Sequence, residues 1–482
     1  MFLRTLAAVL LFALPAWAQT PADCTADVDL TSDNGIKVAV VYRCQSTTPV
    51  TFHAAGDRAV ARTSEVKDGT GKPLTPSSDA WWVEPANGVA ELHYRVDVSG
   101  YAADVNSPTL AIARGEGVLT LLEGWLLEPR GYKKPPTIDI KVKTAPGLSF
   151  SSGLPKVGDV WRLSGTLVRF AGYSALGKLS VQEFAVPAPG SLRPGGTRAE
   201  GVLRLVMLDG FSAEGRADLT DWVKRTAEAE ENYWQGFTAR HLMLALVPME
   251  SRRGVGFGRT VPSGGATVMI EVGATVDKRR LFQEWVLVHE LIHTGMPYIT
   301  GQGTWLMEGA ATFVEPIIRA RAGWKTEDEA WREWVTNMPR GAASIGAGLA
   351  NGEQPYWAGA IFWLLADIGI LKATNGAKGL EDCLGGVLWS GMEARDRASV
   401  PEFARACDRA VETDVVSTLI DQHFRKQNPV DLNALWKDLG VAVANNGKVT
   451  YDDTAPLAKW RKMIVMGPPG RPPRHVKLPW ES

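Results

Sequence analysis

The apolar residues change period once along the chain, and that change constrains the fold more than any other feature. From about residue 26 to 186 they alternate. Gly35–Gln45 sets Val38, Val40 and Tyr42 on one side, and Ala90–Ser99 does the same with Leu92, Tyr94, Val96 and Val98. Period two marks a strand with one buried face. Val118–Leu127, Thr137–Lys143 and Val160–Phe170 also read as strands, and Gly, Pro, Asn and Asp clusters separate them. No strong helical period occurs here, so a β-sandwich-like N-terminal domain is expected over 19–190. Pro187–Gly196 (PAPGSLRPGG) is a turn-rich connector.

Beyond the connector, strands alternate with helices. Val202–Leu208, His241–Met249 and Ala266–Val272 read as strands; Asp218–Trp234, Asp277–His293 and Thr304–Arg321 have helical spacing. From about residue 326 the pattern is nearly all helical, through Thr326–Asn337, Tyr356–Leu371, Val400–Val411 and Val415–Arg425. A short strand at Gly447–Asp453, a helix at Ala455–Ile464 capped by Asp453 or Thr454, and a Pro-rich tail follow. The expected class is therefore α+β and multidomain. An α+β unit spans 200–325, a helical region 326–430 and a C-terminal extension 431–482. At 482 residues the chain is too long for one core.

The first eighteen residues read as an address. Arg4 gives a short positive region, Leu6–Leu14 an apolar one too short to span a bilayer, and Ala16-Trp17-Ala18 a cleavage site. The chain is therefore expected to be exported, secreted or periplasmic, starting at Gln19. Ala22-Asp23 before Cys24 is a poor lipobox, which disfavours a lipid anchor. The apolar run Trp357–Leu371 is interrupted by Asp367 and reads as a buried helix, so no membrane span is expected after cleavage. Export favours disulfides among the four cysteines. Local spacing pairs Cys24 with Cys44 and Cys383 with Cys407, each loop worth roughly 3 kcal/mol. A cysteine zinc site is discounted because no C-x-x-C occurs. Lys and Arg (52) balance Asp and Glu (53), so no basic excess advertises nucleic-acid binding.

One motif carries chemistry. His289-Glu290-Leu291-Ile292-His293 lies in a helical stretch rich in apolar residues. Residues i and i+4 share a helix face, so both imidazoles can bind one Zn²⁺ while Glu290 reaches its water. Two imidazoles and a carboxylate in an apolar helix are costly unless a metal pairs them. Glu308, among Trp305, Leu306, Phe313 and Val314, is the candidate third ligand, with fourteen residues between it and His293. Thr312 and Glu315 fall on the same face as Glu308 and are candidates to orient the imidazoles. His53, His93, His241, His423 and His475 have no ligand spacing.

His289–His293 followed by Trp305–Glu315 (WLMEGAATFVE) resembles the gluzincin metallopeptidases, the aminopeptidase N and glycyl aminopeptidase families in particular. The likeness covers about Gly264–Leu371, with a shorter spacer to the glutamate than is common in the aminopeptidase N family. It implies an N-terminal β domain joined to a thermolysin-like zinc catalytic domain, then helices. It implies one Zn²⁺ on His289, His293 and Glu308, Glu290 as general base, and a peptide or protein as substrate. It also implies a tyrosine in Y-x-x-G at a helix start, matched by Tyr356–Gly359, whose phenol would donate to an oxyanion. Aminopeptidases of this type carry an amine-binding Glu on a Gly-rich edge strand. Here Gly264-Gly265-Ala266-Thr267 is the expected counterpart, leaving Thr267 in that place, with Glu271 as substitute in another register. Two alternatives stand beside peptide hydrolysis: a non-catalytic zinc-containing envelope binding protein, which would not need Glu290, and a zinc hydrolase of a non-protein amide.

Overall fold

The computed structural model describes residues 21–250, 253–346, 355–468, 471 and 473–481. The expected signal and its cleavage site lie outside these residues. The alternating segments form a seven-stranded sheet centred on Cys24–Thr31, Lys37–Gln45 and Val89–Asp97. Its inward residues, among them Val28, Val40 and Leu92, share one core with a three-stranded sheet (through Phe52 and Trp81) and a four-stranded one (through Val118 and Leu176). Cys24 and Cys44 stand opposite each other in register and are bonded.

Some strands are shorter than expected, for local reasons. Val118–Leu127 stays extended only to Leu121, then turns through Leu122–Gly124. Val160–Phe170 leaves the sheet after Leu163. Two short helices break the β pattern, Asp57–Arg62 and Val98–Val105. Asp97 caps the second by accepting the Gly100 N–H, which ends the strand where alternation alone would extend it.

The four-stranded sheet is a middle layer. Its other face, with Ile112, Leu119, Tyr173 and Ala175, packs on Val206, Met243, Ala245 and Met269 of a five-stranded sheet. That sheet has the order Ser180–Pro187, Glu200–Met207, His241–Met249, Ala266–Gly273, Val255–Val261. Its middle three strands are parallel and its two edge strands antiparallel. Helices cover the opposite face through Trp222, Val223, Leu287 and Leu291. Burial on both faces explains why His241–Met249 reads as a continuous apolar run.

The remaining helices share the largest core. Thr304–Arg321 and Val400–Val411 begin and end where the spacing put them. Thr326 caps Glu327–Asn337 through a box with Glu329. Pro339–Gly346, Leu380–Trp389 and Leu432–Leu439 are further helices that periodicity did not reveal. The last helix spans Ala458–Met466. Cys383 and Cys407 link the helices Leu380–Trp389 and Val400–Val411. Among the described residues, Pro355–Ala373 is long and apolar enough to cross a bilayer, with 67% of its apolar window buried inside the fold. It crosses Thr304–Arg321 at a glycine pair. A Cβ on Gly309 would stand 2.3 Å from the Gly359 backbone, so only glycine permits this approach.

Candidate active site

The stretch expected as one helix from Asp277 to His293 is two. Lys278–Leu281 ends in a break, and Val286–Thr294 carries the motif. At the break, Arg319 Nη2 donates to the Gln283 carbonyl at 2.9 Å, taking it out of the helical ladder. The motif helix packs between the five-stranded sheet and Thr304–Arg321, burying His289 to 4% exposure and Glu290 to 8%.

The helix turn and the next helix bring three side chains together. His289 Nε2 lies 3.3 Å, and His293 Nε2 3.4 Å, from the same Glu308 oxygen, Oε2. Ligands about 2.0–2.1 Å from a tetrahedral ion stand about 3.3–3.4 Å from one another. The three donor atoms lie within 4.8 Å of one another, and the set of two imidazoles and a carboxylate suits zinc. Burial alone would raise the Glu308 carboxyl, but the two imidazoles hold it down at about 2, ionised as a ligand must be. Trp285, half exposed, meets the His289 ring edge-on at 5.1 Å.

Tyr356 opens the helix Pro355–Ala373, and the glycine crossing brings that helix against Glu308. Its ring centroid is 6.2 Å from that of His289. Burial first, then the charges of Glu308 and Glu290, raise its phenol pKa, so it keeps its proton. These groups line one cleft of about 510 Å³.

The other wall of the cleft is the edge strand Val255–Val261, which the sequence reading did not identify. It is not Gly264–Thr267. Thr267 lies on the interior strand, 1% exposed, where its hydroxyl accepts the Tyr173 N–H at 3.0 Å. Glu271 is on that same interior strand and does not line the cleft. Pro262-Ser263-Gly264-Gly265 is the turn of a hairpin between the two strands, a signal that could have revealed the edge strand. The strand presses on the base. A Cβ on Gly258 would stand 2.6 Å from Glu290 Cγ. Thr260 Oγ1 is 2.8 Å from both Glu290 Oε2 and the Glu290 carbonyl. The charged oxygen competes better for the single hydroxyl proton.

Thr312 and Glu315 do not orient the imidazoles. The Thr312 hydroxyl donates to the Glu308 carbonyl one turn back, and Glu315 accepts from Arg319 at 2.8 Å. Both satisfy their own helix instead.

The comparisons with known proteins bear on this arrangement. No family model and no curated protein matches the sequence. The structure, however, is similar to an aminopeptidase N family protein from Idiomarina loihiensis, with a TM-score of 0.61 at 15% identity, over 87% of this chain and 79% of that one. The chain has the M1 metallopeptidase fold. A second likeness is to an M1 zinc metallopeptidase from Deinococcus radiodurans, a mutant bound to a Tyr-Ser-Ala substrate. Its TM-score is 0.51 at 12% identity, over 84% of this chain and 94% of that one. Within the M1 fold, the several sheets and the helical C-terminal region are common ground at identities where sequence alone finds nothing.

Proposed function

We propose that the protein is an exported zinc-dependent peptidase, with residues 1–18 as its signal and one zinc per chain. The observation that carries this reading is the tetrahedral-edge spacing of His289, His293 and Glu308 in the same cleft as a clamped carboxylate, Glu290. Four strands of the five-stranded sheet, with the motif helix and Thr304–Arg321, then form a thermolysin-like catalytic unit within 200–325, and Ser180–Pro187 from the end of the β domain completes the sheet. The β domain of 19–190 precedes it, and the helices of 326–430 and the extension 431–482 follow. The two disulfides fit an oxidising compartment.

His289, His293 and Glu308 would hold the metal. When bound, zinc supplies a Lewis acid that polarises the scissile carbonyl and acidifies water. Glu290 takes a proton from the attacking water on its carboxylate and returns it to the leaving amine nitrogen. Thr260 and Gly258 fix the direction in which that carboxylate points. Tyr356, protonated and 44% exposed on the cleft wall, donates its O–H to the developing oxyanion.

The test is to incubate the zinc-loaded protein with a mixed peptide library and sequence the products, beside the Glu290→Gln variant. New termini that appear with wild type and fall by about 10²–10⁴-fold with Glu290→Gln support the reading. No cleavage by fully zinc-loaded wild type overturns it.

A further inference from the structure

Arg259 is a cation in the cleft without a counter-ion. It lies on the edge strand beside Thr260 and lines the same cleft as Glu290. Its Nη1 is tethered to neutral oxygens: it donates to the Thr109 carbonyl and lies 3.4 Å from the Tyr173 hydroxyl. The Tyr173 phenol is itself pushed up to about 12 by burial and stays neutral. Among the described residues no carboxylate reaches Arg259 at salt-bridge distance, and its Nε and Nη2 have no protein partner. Those two nitrogens form the side of the guanidinium that grips a carboxylate with two parallel bonds.

The carboxylates of the cleft are already committed. Among the described lining residues they are Glu290, held by Thr260, and Glu308, held by the two imidazoles. Two negative charges against a zinc dication and a guanidinium leave the cleft net positive. A free α-amine finds no acidic partner there, whereas an anionic group finds a prepared one.

We propose that Arg259 is the subsite for a substrate carboxylate, so that the enzyme favours bonds flanked by an acidic side chain or close to a free C-terminus. This rests on the peptidase reading. The Nη1 tether fixes the guanidinium before substrate arrives, so little rotamer entropy is lost on binding.

The test uses the zinc-loaded full chain and C-terminally amidated peptides that differ only in Glu, Gln or Lys beside the cleaved bond. A short peptide with free or amidated C-terminus forms the second arm. Wild type is expected to cut the Glu peptide, the free-acid peptide or both at least about tenfold better in kcat/KM than the neutral match. Which arm responds tells side chain from C-terminus. Arg259→Lys should keep the order, Arg259→Gln should flatten the ratio to within about twofold, and Arg259→Glu should turn it towards Lys. Equal rates in both arms, or a preference that survives Arg259→Gln, overturns the proposal. If no peptide is cut, the peptidase reading fails by itself, and equilibrium binding of the same peptides decides this one. Acidic peptides must then bind wild type at least about tenfold tighter than neutral ones and lose that advantage in Arg259→Gln; any other pattern overturns it.

Discussion

Replacing Gly359 with Ala sets two opposite effects against each other. In a helix interior Ala is favoured over Gly by about 1 kcal/mol. Yet a Cβ at Gly359 would stand 2.0 Å from the Trp305 carbonyl oxygen and 2.6 Å from Gly309 Cα. Both neighbours are backbone, so no flexible side chain can give way. Ordinary contact requires the helices to part by more than an ångström. Overpacking of this kind costs typically 1–3 kcal/mol and more where backbone must move, so the clash outweighs the propensity and a net loss of about 2 kcal/mol is expected. Gly369→Ala is the internal control, because the three atoms nearest its Cβ all belong to the Val415 side chain, the first at 2.7 Å, and none is backbone; it should lose less. Urea unfolding followed by tryptophan fluorescence reads both, since the helical core holds many tryptophans. The same separation carries Tyr356, one turn before Gly359, away from Glu308 beside Gly309. Misplacement by about 1 Å can cost on the order of 10²-fold in rate, so kcat should fall while zinc stays bound. A Gly359→Ala protein as stable as wild type would refute the reasoning, because propensity would then have won.

Four further outcomes are expected. His293→Ala, dialysed against trace zinc, should retain little metal where wild type keeps one equivalent; full occupancy would remove His293 from the ligand set. Thr260→Val should lower kcat about tenfold at unchanged zinc content, with recovery in Thr260→Ser, because a hydrogen bond to a charged group is lost; a Val variant at wild-type rate would show that the hydroxyl does not position Glu290. Burial, then the charge of Glu381, pushes the Asp367 carboxyl up to about 8. The unfolded group titrates near 3.9, so its protonated form stabilises the fold fully below about pH 4, and this stability is lost as pH rises towards about 8. Asp367→Asn keeps an oxygen for the Leu380 N–H, so its melting temperature should fall less than that of wild type between pH 5 and 8; parallel curves would sink the idea. Finally, N-acetylation of a good peptide substrate should change kcat/KM by less than about threefold, since Glu290 and Glu308 are the carboxylates among the described cleft residues; a hundredfold rejection would reveal an amine site.

The sequence was most legible where one physical signal acted alone. Alternation marked Lys37–Gln45 and Val89–Asp97, and helical spacing marked Thr304–Arg321 and Val400–Val411. The i, i+4 histidines and Glu308 were legible because the donor types and the helix period point the same way. Tertiary contacts hid the rest. The break at Gln283 depends on Arg319, thirty-six residues away. The edge strand Val255–Val261 carries alternate glycines in place of an apolar face, because Met249 crowds Gly256 and Glu290 and Val286 crowd Gly258. Thr267 stood in a glycine-containing stretch that looked like an edge and is an interior strand. Arg259 had no signal of its own: its tether comes from Thr109 and Tyr173, residues of the β region.

The connector rich in proline and glycine looks like a seam where one module was spliced to another. The hydrogen bonds disagree with that appearance. Ser180–Pro187 runs before it and Glu200–Met207 after it, and the two pair residue for residue as neighbours in a single sheet. Tyr173, earlier still, offers its N–H to Thr267 in the interior of that sheet. A recombination junction in the connector would therefore cut a hairpin, leaving one parent with an orphan strand and the other with an open sheet edge. The unit that could be exchanged between relatives begins upstream of Ser180, and the β region, which holds Arg259 of the cleft through Thr109 and Tyr173, travels with it.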